Sequence, residues 1–249
     1  MSDRPMHTVP GAWDKLVELF ARGDAAIQEG RFHDAIEAFT EGLAIDDHFR
    51  QRYVTMYAQR GFARQRSGDL AGAAEDYGHA IAMEPPVNQA QYHFYRGMCR
   101  GGLGDPEGAV EDYAASIALH PDHPGPYHLR AKLLVNELGR YAEAIPDLDR
   151  LIAMNGHPEG LELRGYARLM LGDPAAARRD VEDAADRQPT PWRHYLVAWA
   201  TALVGDADAF MPAMAAALEG NPDYAPYFRE HGDFAAMRAD PRFAGIIDG

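Results

Sequence analysis

The chain has 249 residues, 47% of them apolar, with 38 acidic against 24 basic residues and a net charge of −14. Phosphate backbones and anionic membranes are bound through clustered cations, and no run of Lys or Arg is present, so this balance excludes nucleic acid and membrane surfaces as partners. The single cysteine, Cys99, excludes a disulfide scaffold and reads as a small buried apolar residue, and no apolar run is long enough for a membrane span.

Residues 1–12 contain two prolines and no periodic pattern, so they are expected to form a flexible leader. It lacks the apolar core of a signal peptide, which points to the cytoplasm. Trp13, Leu16, Val17, Leu19 and Phe20 begin the first helix; Phe32, Ala35, Ile36, Phe39 and Leu43 share a face of the second. Extra residues around Asp46 to Tyr53 predict an extended helix or loop. Tyr92, Arg96, Gly97 and Arg100 then fall on helical spacing, and Leu103-Gly104-Asp105-Pro106 breaks that helix. Gly suits the left-handed position after a helix, Asp caps the next one, and Pro fits its first turn. Ala109, Val110, Tyr113, Ser116 and Ile117 follow on a second amphipathic helix, so the unit is a helical hairpin.

That hairpin recurs. Its central glycine stands at Gly30, Gly68, Gly104, Gly139, Gly172 and Gly205, at gaps of 38, 36, 35, 33 and 33 residues. Five residues after each come Ala35, Ala73, Ala109, Ala144, Ala177 and finally Phe210, and Pro85, Pro121, Pro189 and Pro222 close most units. The fourth unit carries one additional residue before Gly139, and Pro146 lies near the start of its second helix, where a missing N–H does least harm. After residue 224 the pattern stops; Phe228, Phe234, Met237, Phe243, Ile246 and Ile247 suit a terminal element that covers the open end of a stack.

Arg in the first helix is matched by Asp in the second. Arg60 precedes Asp76 by 16 residues, Arg96 precedes Asp112 by 16, Arg164 precedes Asp180 by 16, and Arg130 precedes Asp147 by 17, where the turn holds the extra residue. The sixth unit has Val197 and Ala213 instead, both apolar. A guanidinium between two helices requires a carboxylate opposite, so these eight residues read as structural ion pairs. A second Arg row, Arg64, Arg100 and Arg168, has two readings: a basic row for a ligand carboxylate, or charges satisfied within each repeat. His120, Asp122 and His123 cluster in a proline-flanked turn that reads as surface, with a metal-assisted hydrolase as the remote alternative. No GxSxG, GxxxxGK[ST] or GxGxxG motif is present, and the chain reads as a non-enzyme without cofactor or metal.

A period near 34 residues, with Gly in the first helix, Ala in the second and a terminal Pro, resembles the tetratricopeptide repeat. Residues 233–243, DFAAMRADPRF, resemble the DFxxLRxDPRF endings that follow the last repeat in many bacterial proteins of that family. The resemblance implies an all-α, right-handed superhelical solenoid: an array over residues 13–224, with repeats near 16–49, 54–87, 90–123, 124–157, 158–191 and 192–224, and a cap over 225–249.

In this family the first helices line a concave groove. The matching positions here are Phe20, Phe62, Phe94, Met98, His128, Lys132, Asn136, Glu162, Tyr166, Met170, Tyr195 and Trp199, a set that either anchors peptides or packs between repeats. The family's Lys, Asn and Arg clamp on a peptide carboxylate has no matching set in consecutive repeats. The implied function is a cytoplasmic adaptor that holds an apolar or aromatic protein segment with basic flanks. A self-assembling scaffold built from head-to-tail contacts is the alternative.

Overall fold

The computed structural model describes residues 11–45 and 50–248, the side chains of 50–52 excepted. Residues 1–10 of the expected leader and 46–49 of the expected extension lie outside the described residues. Every regular element among the described residues is helical. In chain order the first three hairpins are α1 (Ala12–Gln28) with α2 (Phe32–Leu43), α3 (Arg50–Ser67) with α4 (Leu70–Met83), and α5 (Ala90–Gly102) with α6 (Pro106–Leu119). The next three are α7 (Pro124–Asn136) with α8 (Tyr141–Asn155), α9 (Pro158–Met170) with α10 (Pro174–Arg187), and α11 (Pro191–Leu203) with α12 (Ala207–Gly220). The chain divides between Pro126 and Tyr127 into two compact units.

Local chemistry sets each hairpin turn. Gly104 adopts φ +79°, a left-handed conformation that reverses the chain after α5 without a Cβ clash, and the other five central glycines share that sign. Asp69, Asp105, Asp173 and Asp206 then cap the following helix by accepting a bond from the backbone N–H three residues on. Arg31 and Arg140 replace the capping Asp in the first and fourth hairpins and provide no side-chain cap. Pro146 departs from expectation. Since α8 opens at Tyr141, this proline is the sixth helical residue, beyond the turn whose N–H groups are free anyway, and its ring nitrogen forfeits the bond to the Ala142 carbonyl. Pro212 holds the same place in α12, and both helices continue past it.

Small residues let paired helices close. A Cβ on Gly97 would lie 2.8 Å from the Tyr113 ring, and one on Gly165 would lie 2.5 Å from Val181. Ala35, Ala73, Ala109, Ala144 and Ala177 are fully buried at the facing positions. In the first unit the core contains Leu16, Phe39 and Met56, then Tyr77 and Cys99. In the second unit Val181, Leu196 and Met214 continue into Phe210, Phe228, Phe234 and Phe243. Each such fully buried side chain contributes about 1.5–3 kcal/mol of transfer free energy.

The second unit ends in α13 (Ala225–Glu230), two short 3-10 turns and α14 (Pro241–Ile247). This segment folds back on the last hairpin. Phe243 stacks on Phe210 with ring centres 6.3 Å apart, Phe228 and Phe234 meet at 5.0 Å, and Trp199 Nε1 donates to Asp233 Oδ2 at 2.7 Å. Among the described residues, no helix is long and apolar enough to cross a membrane.

Candidate interaction surface

The eight Arg and Asp residues at 16- and 17-residue spacing meet pairwise inside their hairpins. Arg60–Asp76, Arg96–Asp112, Arg130–Asp147 and Arg164–Asp180 each form two parallel bonds, from Nε and from one terminal guanidinium nitrogen, at 2.6–2.9 Å. All four carboxylates are buried. At the matching positions of the sixth hairpin, Val197 and Ala213 are buried instead. The second Arg row turns inward to the same acids: Arg64 Nη1 donates to Asp76 at 2.9 Å, Arg100 Nη1 lies 3.0 Å from Asp112, and Arg168 Nη1 donates to Asp180 at 2.6 Å. In the fourth hairpin Leu134, buried, holds the place of this second arginine. Burial alone would raise the Asp112 pKa, but hydrogen bonds from His93 and Arg96 and the charges of Arg96 and Arg100 hold it below the usual carboxylate range.

In the first unit, Phe20 sets its ring edge against Phe39 at 6.0 Å, and Phe62 does the same against Phe32 at 6.4 Å. Phe62 also lines a cleft of about 240 Å³ with Gln59, Tyr77 and Tyr95. Phe94 contacts Tyr113 and His123, with ring centres 6.0 and 5.4 Å apart, and borders a second cleft of about 290 Å³. Gln91 and Tyr95 line both clefts, so α3 and α5 present one run of half-buried aromatic surface. Met98 is exposed beside it.

The second unit gathers more polar side chains. Lys132 and Asn136 from α7, Tyr141 at the start of α8, Glu159, Glu162 and Tyr166 from α9, and Trp192 from α11 line a cleft of about 430 Å³. Tyr166 is its centre, 6.1 Å from the Tyr141 ring and 6.0 Å from Trp192. His128 Nε2 and Lys132 Nζ lie 3.2 and 3.3 Å from the two Glu159 oxygens. Burial would raise the Glu159 pKa, but the neighbouring His128 and Lys132 hold it low. Arg193, buried, donates from Nε to Glu162 at 2.6 Å and from Nη1 to the Gln188 carbonyl at 2.7 Å, which ties α11 to α9. Met170 is exposed at the end of α9. Tyr195 is engaged by the closing segment, at 5.0 Å from Tyr224 and 5.4 Å from Phe228, and burial pushes its hydroxyl pKa up to about 12.

Tyr141, Glu159, Trp192 and Arg193 escape a reading by groove position. The available signal is slight: Glu159 and Trp192 each directly follow the proline that opens their helix. His120 and His123 have ring centres 6.1 Å apart, and no three His, Cys, Asp or Glu side chains converge as a metal site among the described residues. Cys99 is fully buried, and burial raises its thiol pKa to about 11.

Repeated hairpins, each locked by small residues and most by a buried Arg–Asp pair, with first helices that present aromatic clefts, define a helical-repeat module. Tetratricopeptide repeat models match residues 19–49, 59–124 and 136–191, more than half of the sequence. The chain belongs to the tetratricopeptide repeat family. No curated protein matches it. Among solved structures it is similar to the MamA protein, at 21% identity and a TM-score of 0.63 over 71% of this chain and 96% of that one. It is also similar to MamA from Desulfovibrio magneticus RS-1, at 18% identity and TM-score 0.60 over 68% and 97% of the two chains. A tetratricopeptide repeat protein from Parabacteroides merdae ATCC 43184 aligns at 18% identity and TM-score 0.66 over 94% and 96%. At these identities the likeness is one of fold.

Proposed function

We propose that this chain is a non-enzymatic, cytoplasmic protein-interaction module whose first helices hold an apolar or aromatic segment of a partner protein. The observation that carries this reading is the set of open aromatic clefts on α3, α5, α7 and α9, lined by Phe62, Phe94 and Tyr166. Large rigid rings beside solvent-accessible space are what peptide anchors dock against. Lys132 and Asn136 line the cleft at Tyr166, His128 pairs with Glu159 of the same cleft, Met98 and Met170 each follow one of these rings by four helical residues, and the net charge of −14 favours basic flanks on the partner. Tyr195 and Trp199 serve mainly to seat residues 225–248, which we assign as the cap resembling the family's DFxxLRxDPRF endings. The Arg–Asp pairs hold hairpins together, and the mechanism is binding with no chemical step. Hydrogen exchange with a captured partner tests the reading: protection is expected on α3, α5, α7 and α9. Protection confined to α4, α6, α8 and α10 would overturn it.

A further inference from the structure

The cleft at Tyr166 has a chemistry of its own. Trp192 and Tyr141 flank Tyr166 at interplanar angles of 54° and 80°, so the three rings form a corner whose π faces carry negative charge density. Two carboxylates, Glu159 and Glu162, line the same space of about 430 Å³, ample for one long side chain. We propose that this corner seats a Lys or Arg side chain from an extended segment of a partner protein, an assignment that rests on the peptide-binding reading above.

The charges favour a cation over the other guests. Glu162 is held by the buried Arg193 through Oε2, so the carboxylate is fixed in place, and among the described residues Oε1 carries no bond. Glu159 has His128 Nε2 3.2 Å from Oε2 and Lys132 Nζ 3.3 Å from Oε1; the lysine side chain is 49% exposed, so its pair is of the kind that contributes little and exchanges readily. An incoming ammonium or guanidinium therefore displaces Lys132 from Glu159 at small cost and gains the Tyr166 ring and the Trp192 face opposite its stack on Tyr195. An anionic guest would meet both carboxylates and an overall charge of −14.

The test selects a random dodecapeptide display library on the full chain, then measures affinities of the enriched peptides as synthetic peptides. Enriched sequences are expected to share a Lys or Arg at one register. Replacing that residue by norleucine, which keeps the length of lysine without its charge, should weaken binding about tenfold. Trp192→Ala should do the same, and Trp192→Phe, which keeps a ring to stack on Tyr195, should retain most affinity, with circular dichroism confirming that both variants stay folded. Lys132→Met should strengthen binding several-fold, because it removes the competing cation. Peptides indifferent to norleucine, or weakened by Lys132→Met, would overturn the inference and leave the interaction module standing. No enrichment at all would overturn both.

Discussion

Arg96 on α5 and Asp112 on α6 meet through two parallel hydrogen bonds of 2.9 and 2.6 Å, beside the point where Gly97 lets the Tyr113 ring approach. Asp112 is 2% exposed, so its charge is out of water and depends on its protein partners. Removing one partner of a buried pair leaves the other uncompensated, which costs about 3–5 kcal/mol, whereas an apolar pair of similar volume is often neutral. Arg96→Ala should therefore destabilise the α5–α6 hairpin by on the order of 3 kcal/mol, Arg100 and His93 sparing part of the loss. Amide exchange in α5 and α6 measures it. The double variant Arg96→Met/Asp112→Leu should recover only part of the loss, because it leaves Arg100 and His93 without their carboxylate, whereas the sixth hairpin sets Thr201 at the second Arg position beside Val197 and Ala213.

The same carboxylate predicts a pH dependence. Burial opposes ionisation of Asp112, yet His93, Arg96 and Arg100 keep its folded pKa below the ordinary value. The stabilisation is thus fully present above the unfolded pKa of about 3.9 and is lost as pH falls through the folded value. Carboxyl-carbon NMR of Asp112 should show a midpoint below that of an exposed Asp. Hairpin opening should accelerate over the same acid range, and Asp112→Asn should abolish that step.

Gly97 and Gly104 are one turn of helix and a bend apart, but they are glycine for different reasons. A Cβ at position 97 collides with the buried Tyr113 ring, so Gly97→Ala should cost about 1–3 kcal/mol through overpacking. Position 104 has open space but a left-handed backbone at φ +79°, so Gly104→Ala should cost about 1–2 kcal/mol while Gly104→Asn costs less. Thermal denaturation of the three variants separates crowding from backbone strain.

Cys99 is a thiol without access or charge. Fully buried, with its pKa raised to about 11, it has almost no thiolate at neutral pH. A disulfide reagent in native buffer should label it only as fast as α5 opens, and at once in denaturant. Rapid labelling of the native chain would contradict the packing described for the first unit.

The repeating turn was legible in the sequence because its causes are local. A positive-φ Gly, a capping Asp and an Arg–Asp spacing that lengthens from 16 to 17 residues with the turn at Gly139 can be read along one strand of text. The second Arg row was ambiguous, since Arg64, Arg100 and Arg168 have the same spacing whether they face a ligand or turn inward. The clefts were less legible, because they depend on which side chains of different helices come together. Tyr141 and Trp192 meet at Tyr166 only after α8, α9 and α11 are packed. Trp199 was placed on the ligand face by position, but its indole N–H is taken by Asp233, 34 residues away in sequence. Pro146 falls beyond the first turn because helix starts are set by the inter-helix turn, and α8 begins five residues before it.

The central claim is that the aromatic clefts of the first helices bind a protein partner. An affinity pull-down from the native host's lysate, read by mass spectrometry, tests it most directly by comparing the wild-type chain with a folded Phe94→Ala/Tyr166→Ala variant. The account predicts a protein retained by the wild type and lost by the variant. Recovery of the same proteins by both would contradict it and move binding to another face, and recovery of only the chain itself would favour self-assembly instead.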